Sequence, residues 1–358
     1  MTLVVALPNW IGDVVMATPT VRAVRARFPE ERIVLLGRPY VRPVIEPNPW
    51  TDAFIEMPKS ATGLWRAARS ARRERAAAGL LLANSLRAAL ALWAGGAARR
   101  IGYDRQGRGP LLTDRLPPDA EAGRFVPVSQ ITYYLRLAAV LGAPTDDVRM
   151  ELFPTASDES AAAAAYEALG LDAGRTLLLA PGAAFGPSKR WPAPCWARLV
   201  AVAREELGLQ AAVLCGPTEA GEAEAILAEA RGRCATFHRS GITPASARAV
   251  VRRARAMVAV DSGLRHYAAA LGRPVVALFG PTDIRWTETW YPKEVRVQGV
   301  VPCGPCQEGV CRLGTTECMW RITPEEVLEA LAEALRRDSA SPCVAGFRGP
   351  GQGPTREP

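Results

Sequence analysis

The chain has 358 residues, with 44 Lys+Arg against 36 Asp+Glu, a formal net charge of +8 and a pI near 9.3. At ~100–200 residues per domain this length suggests two domains, and a hydrophobic fraction of 49% excludes a disordered chain. The acids exclude a histone-like composition, and only Lys59, Lys189 and Lys293 are lysines.

The elements follow a βα rhythm. Strands are expected at Leu3–Leu7, Ile33–Leu36, Ala53–Met57 and Gly79–Ala83. Helices are expected at Val14–Arg27, Leu64–Ala78, Leu86–Ala94 and Ser129–Leu141. After a polar break at 154–160, an alanine-rich helix opens a second series. Its strands are Thr176–Ala180, Ala211–Cys215, Ala256–Val260 and Val275–Phe279. Its helices are Cys195–Leu207, Glu219–Ala230, Pro244–Ala254, Leu264–Leu271 and Glu325–Arg337. Such alternation gives an α/β protein with parallel sheets covered on both faces. Two Rossmann-like domains are expected, at 1–155 and 156–337, with a disordered Gly/Pro/Ser-rich tail at 338–358. Open α/β sheets bind ligands beyond the carboxyl ends of their strands, so functional residues should sit in post-strand loops, facing a cleft between the domains.

Localisation follows from what is missing. Met1 leads directly into an apolar strand, without the basic region and cleavage site of a leader. The apolar stretch 79–98 is broken by Asn84, Ser85 and Arg87, whereas a span needs ~20 nearly unbroken apolar residues. A cytoplasmic protein with mostly reduced thiols is expected. Cys195, Cys215 and Cys234 read as buried small apolar residues.

Four loops carry chemistry. The first is Pro8-Asn9-Trp10-Ile11-Gly12-Asp13. Gly12 permits a tight turn. Asp13 reads either as a helix cap or as an ionised carboxylate, able to take a proton, aimed at the cleft. The matching loop of the second series, 181–192, carries adjacent cations, Lys189 and Arg190, and suits a diphosphate. In Cys215-Gly216-Pro217-Thr218-Glu219, Glu219 either caps a helix or bonds a ribose. Asp261-Ser262-Gly263-Leu264-Arg265-His266 follows a strand and opens a helix. It offers side-chain oxygens and free N–H groups to an anion, with one of only two histidines beside them.

Taken in order, Pro8-x-Trp10-x-Gly12-Asp13, Pro181-Gly182…Lys189-Arg190-Trp191-Pro192, Asp261-Ser262-Gly263-x-x-His266 and Phe279-Gly280-Pro281-Thr282 resemble the bacterial heptosyltransferases of glycosyltransferase family 9. The resemblance covers roughly residues 2 to 335. It implies GT-B architecture, with the acceptor-binding domain first and the nucleotide-sugar-binding domain second. It implies inverting, metal-independent transfer of heptose from ADP-heptose to the lipopolysaccharide inner core (lipid A-core), with no cofactor. By the same resemblance Asp13 is the general base on the acceptor hydroxyl. Lys189 faces the donor phosphates, and Asp261, Ser262 and Gly263 form the phosphate turn. His266 and, more loosely, Glu219 complete the donor site, while Asn9, Trp10 and Gly12 line the acceptor side. Arg265 departs from the Met or Ser usual there, as an extra cation beside the phosphates.

Cys303, Cys306, Cys311 and Cys318 form C-x2-C-x4-C-x6-C. A structural zinc, a disulfide and a free-thiol loop are all compatible with that spacing, and no metal is expected in the reaction. A dinucleotide oxidoreductase is disfavoured because G-x-G-x-x-G is missing after the first strand. A nucleic-acid binder would need aromatics interleaved with a basic patch, and Trp65 and Trp93 are the only strong candidates. The segment 61–110 holds ten arginines against Glu74 and Asp104, equal to the whole net charge. No nucleic-acid partner is expected. A basic face toward a phosphorylated, membrane-borne acceptor and the anionic inner membrane surface is.

Overall fold

The computed structural model describes residues 1–340. It contains two six-stranded, all-parallel sheets, each in its own compact unit.

The first unit comprises Met1–Leu152 with Arg285–Trp290. Its strands are β1 (Thr2–Ala6), β2 (Arg32–Gly37), β3 (Ala53–Glu56), β4 (Ala78–Leu81), β5 (Arg99–Tyr103) and β6 (Asp114–Leu116). They lie in the order β3-β2-β1-β4-β5-β6. A small hairpin, β7 (Ala120–Glu121) with β8 (Arg124–Phe125), follows. The helices are α1 (Ile11–Met16), α2 (Thr18–Arg27), α3 (Arg42–Ile45), α4 (Ala61–Glu74), α5 (Leu86–Ala94) and α6 (Gln130–Ala139). Central strand β1 is buried on both faces, with Val4 opposite Val34 on one side and Gly79 on the other.

The second unit runs over Phe153–Ile284 and the residues from Tyr291 onward. Its strands are β9 (Thr176–Ala180), β10 (Gln210–Val213), β11 (Cys234–Thr236), β12 (Ala256–Val260), β13 (Val275–Phe279) and β14 (Glu294–Gln298). Their order, β11-β10-β9-β12-β13-β14, repeats that of the first sheet. Helices α7 (Ala156–Ala168), α8 (Ala193–Leu207), α9 (Ala220–Ala230), α10 (Ala247–Arg253), α11 (Gly263–Ala270), α12 (Glu317–Trp320) and α13 (Pro324–Ala340) complete it. Both sheets therefore have the doubly wound order of dinucleotide-binding folds. The strand order reverses between β1 and β4, and again between β9 and β12, and such switch points are where these sheets receive ligands.

Several expectations are corrected. The single helix expected at Val14–Arg27 is two, α1 and α2, meeting at Ala17. Pro19 opens the second helix, because its missing N–H is tolerated only in a first turn. The unit boundary falls at Leu152/Phe153, and Arg285–Trp290 groups with the first unit. Within that unit Ser129 Oγ, which caps α6, donates to the Glu288 carbonyl at 2.7 Å. Residues 338–340 belong to α13 rather than to a tail. Asp338 accepts from Arg255 at 2.7 Å and Lys293 at 2.8 Å, which anchors the last turn. The remainder of the expected tail lies outside the described residues. Cys195, Cys215 and Cys234 are half-buried rather than buried. Among the described residues no helix is long and apolar enough to cross a membrane.

Candidate active site

In the first unit the loop after β1 carries the candidate base. Trp10 is the N-cap of α1, without a side-chain capping bond, and is 60% exposed. Asp13 is therefore the third helical residue rather than the cap, and it is half-buried. Its carboxylate lies within electrostatic reach of two phenols. Burial pushes the Tyr134 hydroxyl well up, and Asp13 adds to the effect. Burial also raises Tyr40, with Arg38 opposing and Asp13 reinforcing. Around it, Tyr40 donates to the Asn9 carbonyl and Arg38 Nε donates to Asn9 Oδ1 at 3.2 Å.

On the other side of this unit's switch point, after β4, stands a group that the sequence reading missed. Asn84 Oδ1 accepts from Arg108 at 2.7 Å and from the Tyr133 hydroxyl at 3.1 Å. Arg108 is fully buried and also donates to the carbonyls of Tyr103 and Ala83. In sequence, the only signal of this arginine was its place in a basic run.

In the second unit the loops after β9, β12 and β13 converge on Asp261. Lys189 Nζ donates to Asp261 Oδ2 at 2.5 Å and to its carbonyl at 3.1 Å. Thr282 Oγ1, from the loop after β13, donates to the same Oδ2 at 2.9 Å. Arg265 NH1 donates to Oδ1 at 3.1 Å. Lys189, Asp261, Arg265 and His266 are all buried. Burial alone would raise the Asp261 carboxyl, but Lys189 and Arg265 outweigh it and hold the group well below the usual carboxylate range. Burial and the neighbouring Arg265 lower His266 to about 3, against the opposing pull of Asp261, so this imidazole is neutral near pH 7. His266 Nδ1 is a buried polar atom without a hydrogen-bond partner among the described residues.

Two site expectations change here. Asp261 does not offer its oxygens outward; it is the counterion that holds Lys189. Arg265 is not a cation facing a ligand either. It turns inward, and Glu294 on β14 receives its Nε at 3.1 Å and NH2 at 2.9 Å. Ser262 is the N-cap of α11 with no side-chain capping bond, and Gly263 is the first helical residue. The N-terminal amides of α11 thus begin beside Lys189's partner.

Glu219 lies in the loop after β10. Its Oε2 accepts from the Gly216 N–H at 2.9 Å, the local cap. Its carboxyl also packs against Gly182, where a Cβ would come within 2.0 Å of it. Burial raises this carboxyl, with the Gly216 N–H opposing. Glycine at 182 is thus what brings the acid against the β9 loop.

The cysteine loop braces the loop of Lys189. Ser188 N donates to the Gly309 carbonyl at 3.1 Å, and Ser188 Oγ donates to the Glu308 carbonyl at 2.5 Å. Gly186 (φ 154°) approaches so closely that a Cβ there would lie 2.1 Å from Gly309 O. Cys303 and Cys306 are exposed, Cys311 is half-buried and Cys318 is buried, all as free thiols. Among the described residues no three His, Cys, Asp or Glu side chains are grouped so as to hold a metal ion.

The comparisons agree with this architecture. The model of glycosyltransferase family 9 (heptosyltransferase) matches residues 64–317. Lipopolysaccharide heptosyltransferase 2 of Escherichia coli strain K12 is 29% identical over 356 residues, covering 95% of this chain and all of that protein. The enzyme of the same name from Salmonella typhimurium is also 29% identical, over 94% of this chain and 99% of its own length. The solved structure of E. coli ADP-heptose lipopolysaccharide heptosyltransferase II superposes with a TM-score of 0.79 at 27% identity, covering 95% of this chain and 100% of that one. Two doubly wound parallel sheets in this order, matched over their full length, define a glycosyltransferase of the GT-B fold. The chain belongs to glycosyltransferase family 9, the heptosyltransferases.

Proposed function

We propose that the enzyme transfers heptose from ADP-heptose to heptosyl-Kdo2-lipid A in the lipopolysaccharide inner core. The observation that carries this reading is the near-full-length likeness to two lipopolysaccharide heptosyltransferases 2. Lys189, held by Asp261 beside the start of α11 at the second unit's switch point, supports it.

In this reading Asp13 of the first unit accepts the proton of the acceptor hydroxyl as its oxygen attacks the anomeric carbon. The new C–O bond forms as the bond to ADP breaks, so the anomeric configuration inverts. The departing diphosphate takes the bonding electrons. Its charge is met by Lys189 and the first amides of α11, with Ser262 and Gly263 at the turn. Asp261 holds Lys189 in place. His266, neutral and with a polar atom to spare, gives the donor an uncharged contact, and Glu219 takes the nucleoside. Asn9, Trp10 and Gly12 border the acceptor side of Asp13.

The acceptor is lipid-borne, and we place the enzyme in the cytoplasm, peripheral to the inner membrane. Helix α4 supports this. Trp65, Arg69 and Arg72 share one of its faces at i, i+4 and i+7, with Arg66 and Arg73 beside them, and all five are exposed. None of the four arginines has an ion pair among the described residues. Neighbouring α5 exposes Leu86 and Trp93. Exposed tryptophans among uncompensated arginines suit an anionic bilayer surface.

The test is a transfer assay with ADP-heptose and heptosyl-Kdo2-lipid A, using wild type and Asp13→Asn. Wild type should transfer, and the variant should lose about 10²–10⁴ in kcat while still binding ADP. Undiminished transfer by the variant would remove Asp13 as the base. Transfer by wild type only to Kdo2-lipid A would reassign the acceptor.

A further inference from the structure

Arg265 poses a physical problem that the family resemblance does not solve. It is fully buried, with its guanidinium carbon 4.9 Å from the centre of the Phe279 ring. A buried cation is tolerable only when acceptors or acids compensate it. Here two acids do so. Asp261 takes NH1, and Glu294, itself only 4% exposed, takes Nε and NH2 side by side. Arg296 Nε flanks the outer side of Glu294 at 3.6 Å. Asp261 passes the chain on to Lys189. The contacts run Lys189–Asp261–Arg265–Glu294, cation and anion alternating, with Arg296 beyond Glu294.

We infer that Glu294 is a positioning residue that sets how strongly Lys189 attracts an anion. It engages two nitrogens of Arg265, while Asp261 Oδ2 accepts from Lys189 and Thr282. It also cancels the charge that Arg265 brings into the cluster. An arriving diphosphate therefore meets a lysine that is tethered and neutralised, and must compete with Asp261 for it. Removing the Glu294 charge does two things. The cluster becomes one unit more positive, and Arg265 turns more fully onto Asp261, which loosens Lys189. Both changes strengthen the attraction for an anion. Removing Arg265 does the reverse: the cluster becomes one unit more negative and Asp261 holds Lys189 harder. The inference rests on reading Lys189 as the ligand of the donor phosphates.

The test is a charge series in the full-length chain: Glu294→Gln, Arg265→Met and the double variant, with ADP as the probe in calorimetry. Glu294→Gln should bind ADP about three- to tenfold tighter than wild type, and Arg265→Met weaker by a similar factor. The double variant should return to within about twofold of wild type. A purely structural role for the pair predicts that both single variants bind more weakly. Shifts of the same sign, or no shift in folded variants, overturn the inference.

Lys189 acylation by acetic anhydride without ligand, mapped by mass spectrometry, gives a readout that does not depend on the donor. It should be faster in Glu294→Gln, slower in Arg265→Met and near wild type in the double variant. Should Glu294→Gln fail to fold, the other two variants decide, and unchanged labelling in Arg265→Met overturns the inference. A wild type that binds no ADP while the labelling order holds would overturn the donor reading and support the chain of contacts.

Discussion

The two units share one strand order and use charge in opposite ways. In the second, Lys189, Asp261, Arg265 and Glu294 are buried and paired with one another. In the first, the arginines of α4 point to solvent without ion-pair partners among the described residues. Buried charge is expensive to desolvate, so it persists only in a geometry that satisfies it, and it holds its members in fixed positions. Exposed charge costs little and fixes little. Its effect is a long-range field that salt screens within about 10 Å at 0.1 M. One arrangement suits a site that must orient a phosphate, and the other suits a face that must find a membrane.

Three perturbations sharpen that contrast. The largest effect is expected from Asp261→Asn, which leaves Lys189 and Arg265 with Glu294 as the cluster's remaining carboxylate. Stability should fall by about 3–5 kcal/mol, read as a lower urea midpoint with an unchanged slope. A loss below about 1 kcal/mol would mean that the cluster is not a tightly coupled unit.

A smaller effect comes from His266. Folded, its pKa is about 3. Unfolded, it protonates near 6.5, so between these values only the unfolded chain takes up the proton. Stability must then fall as pH falls through that window. From pH 7 to pH 5 this residue should account for up to about 2 kcal/mol of loss. His266→Gln should show a flatter stability profile over the same range, measured by urea denaturation at pH 7, 6 and 5. Asp261 acts in a separate window. Its folded pKa is depressed, so its contribution is present above the ordinary carboxylate range and is lost only as pH falls below that range.

The smallest effect on stability is expected on α4. Arg69→Gln, Arg72→Gln and Arg73→Gln combined should change unfolding by less than about 0.5 kcal/mol. Binding to phosphatidylserine vesicles at low salt should nevertheless weaken, by about 1 kcal/mol per arginine removed. Unchanged vesicle binding would show that this face does not meet the membrane.

The strands at the centre of each sheet were legible because they are uniformly apolar. Thr176–Ala180, Ala256–Val260 and Val275–Phe279 stand where their composition places them, as fully buried parallel strands require. The outer strands were less legible, although edge strand β3 was read. Strand β5, next to the edge, begins with Arg99-Arg100, and edge strands β6 and β11 are three residues long. Strand β14, Glu-Val-Arg-Val-Gln, carries only the weak alternating signal of an edge strand. Missing β14 meant missing Glu294. Arg265 consequently read as a free cation, because nothing in the sequence showed the acid, 29 positions away, that receives it. The basic run at 61–110 was misjudged in the same way. Ten arginines counted as one patch, yet Arg108 is buried on carbonyls and Asn84, Arg99 pairs with Asp114, and Arg100 reaches the carbonyls of Ala97 and Leu111. The α4 arginines and Arg75 at the helix end answer to the surface that the count implied.

By itself the sequence determined the βα rhythm, the two parallel-sheet series and the loops that follow the first strand of each sheet and the second and fourth strands of the second sheet, because apolar periodicity and turn residues act locally. Tertiary structure alone decided which charges face outward and which neutralise one another. That choice depends on contacts between residues far apart in the chain, such as Lys189 with Asp261 and Arg265 with Glu294. Once water is excluded, the partner rather than the residue type sets what a charge can do.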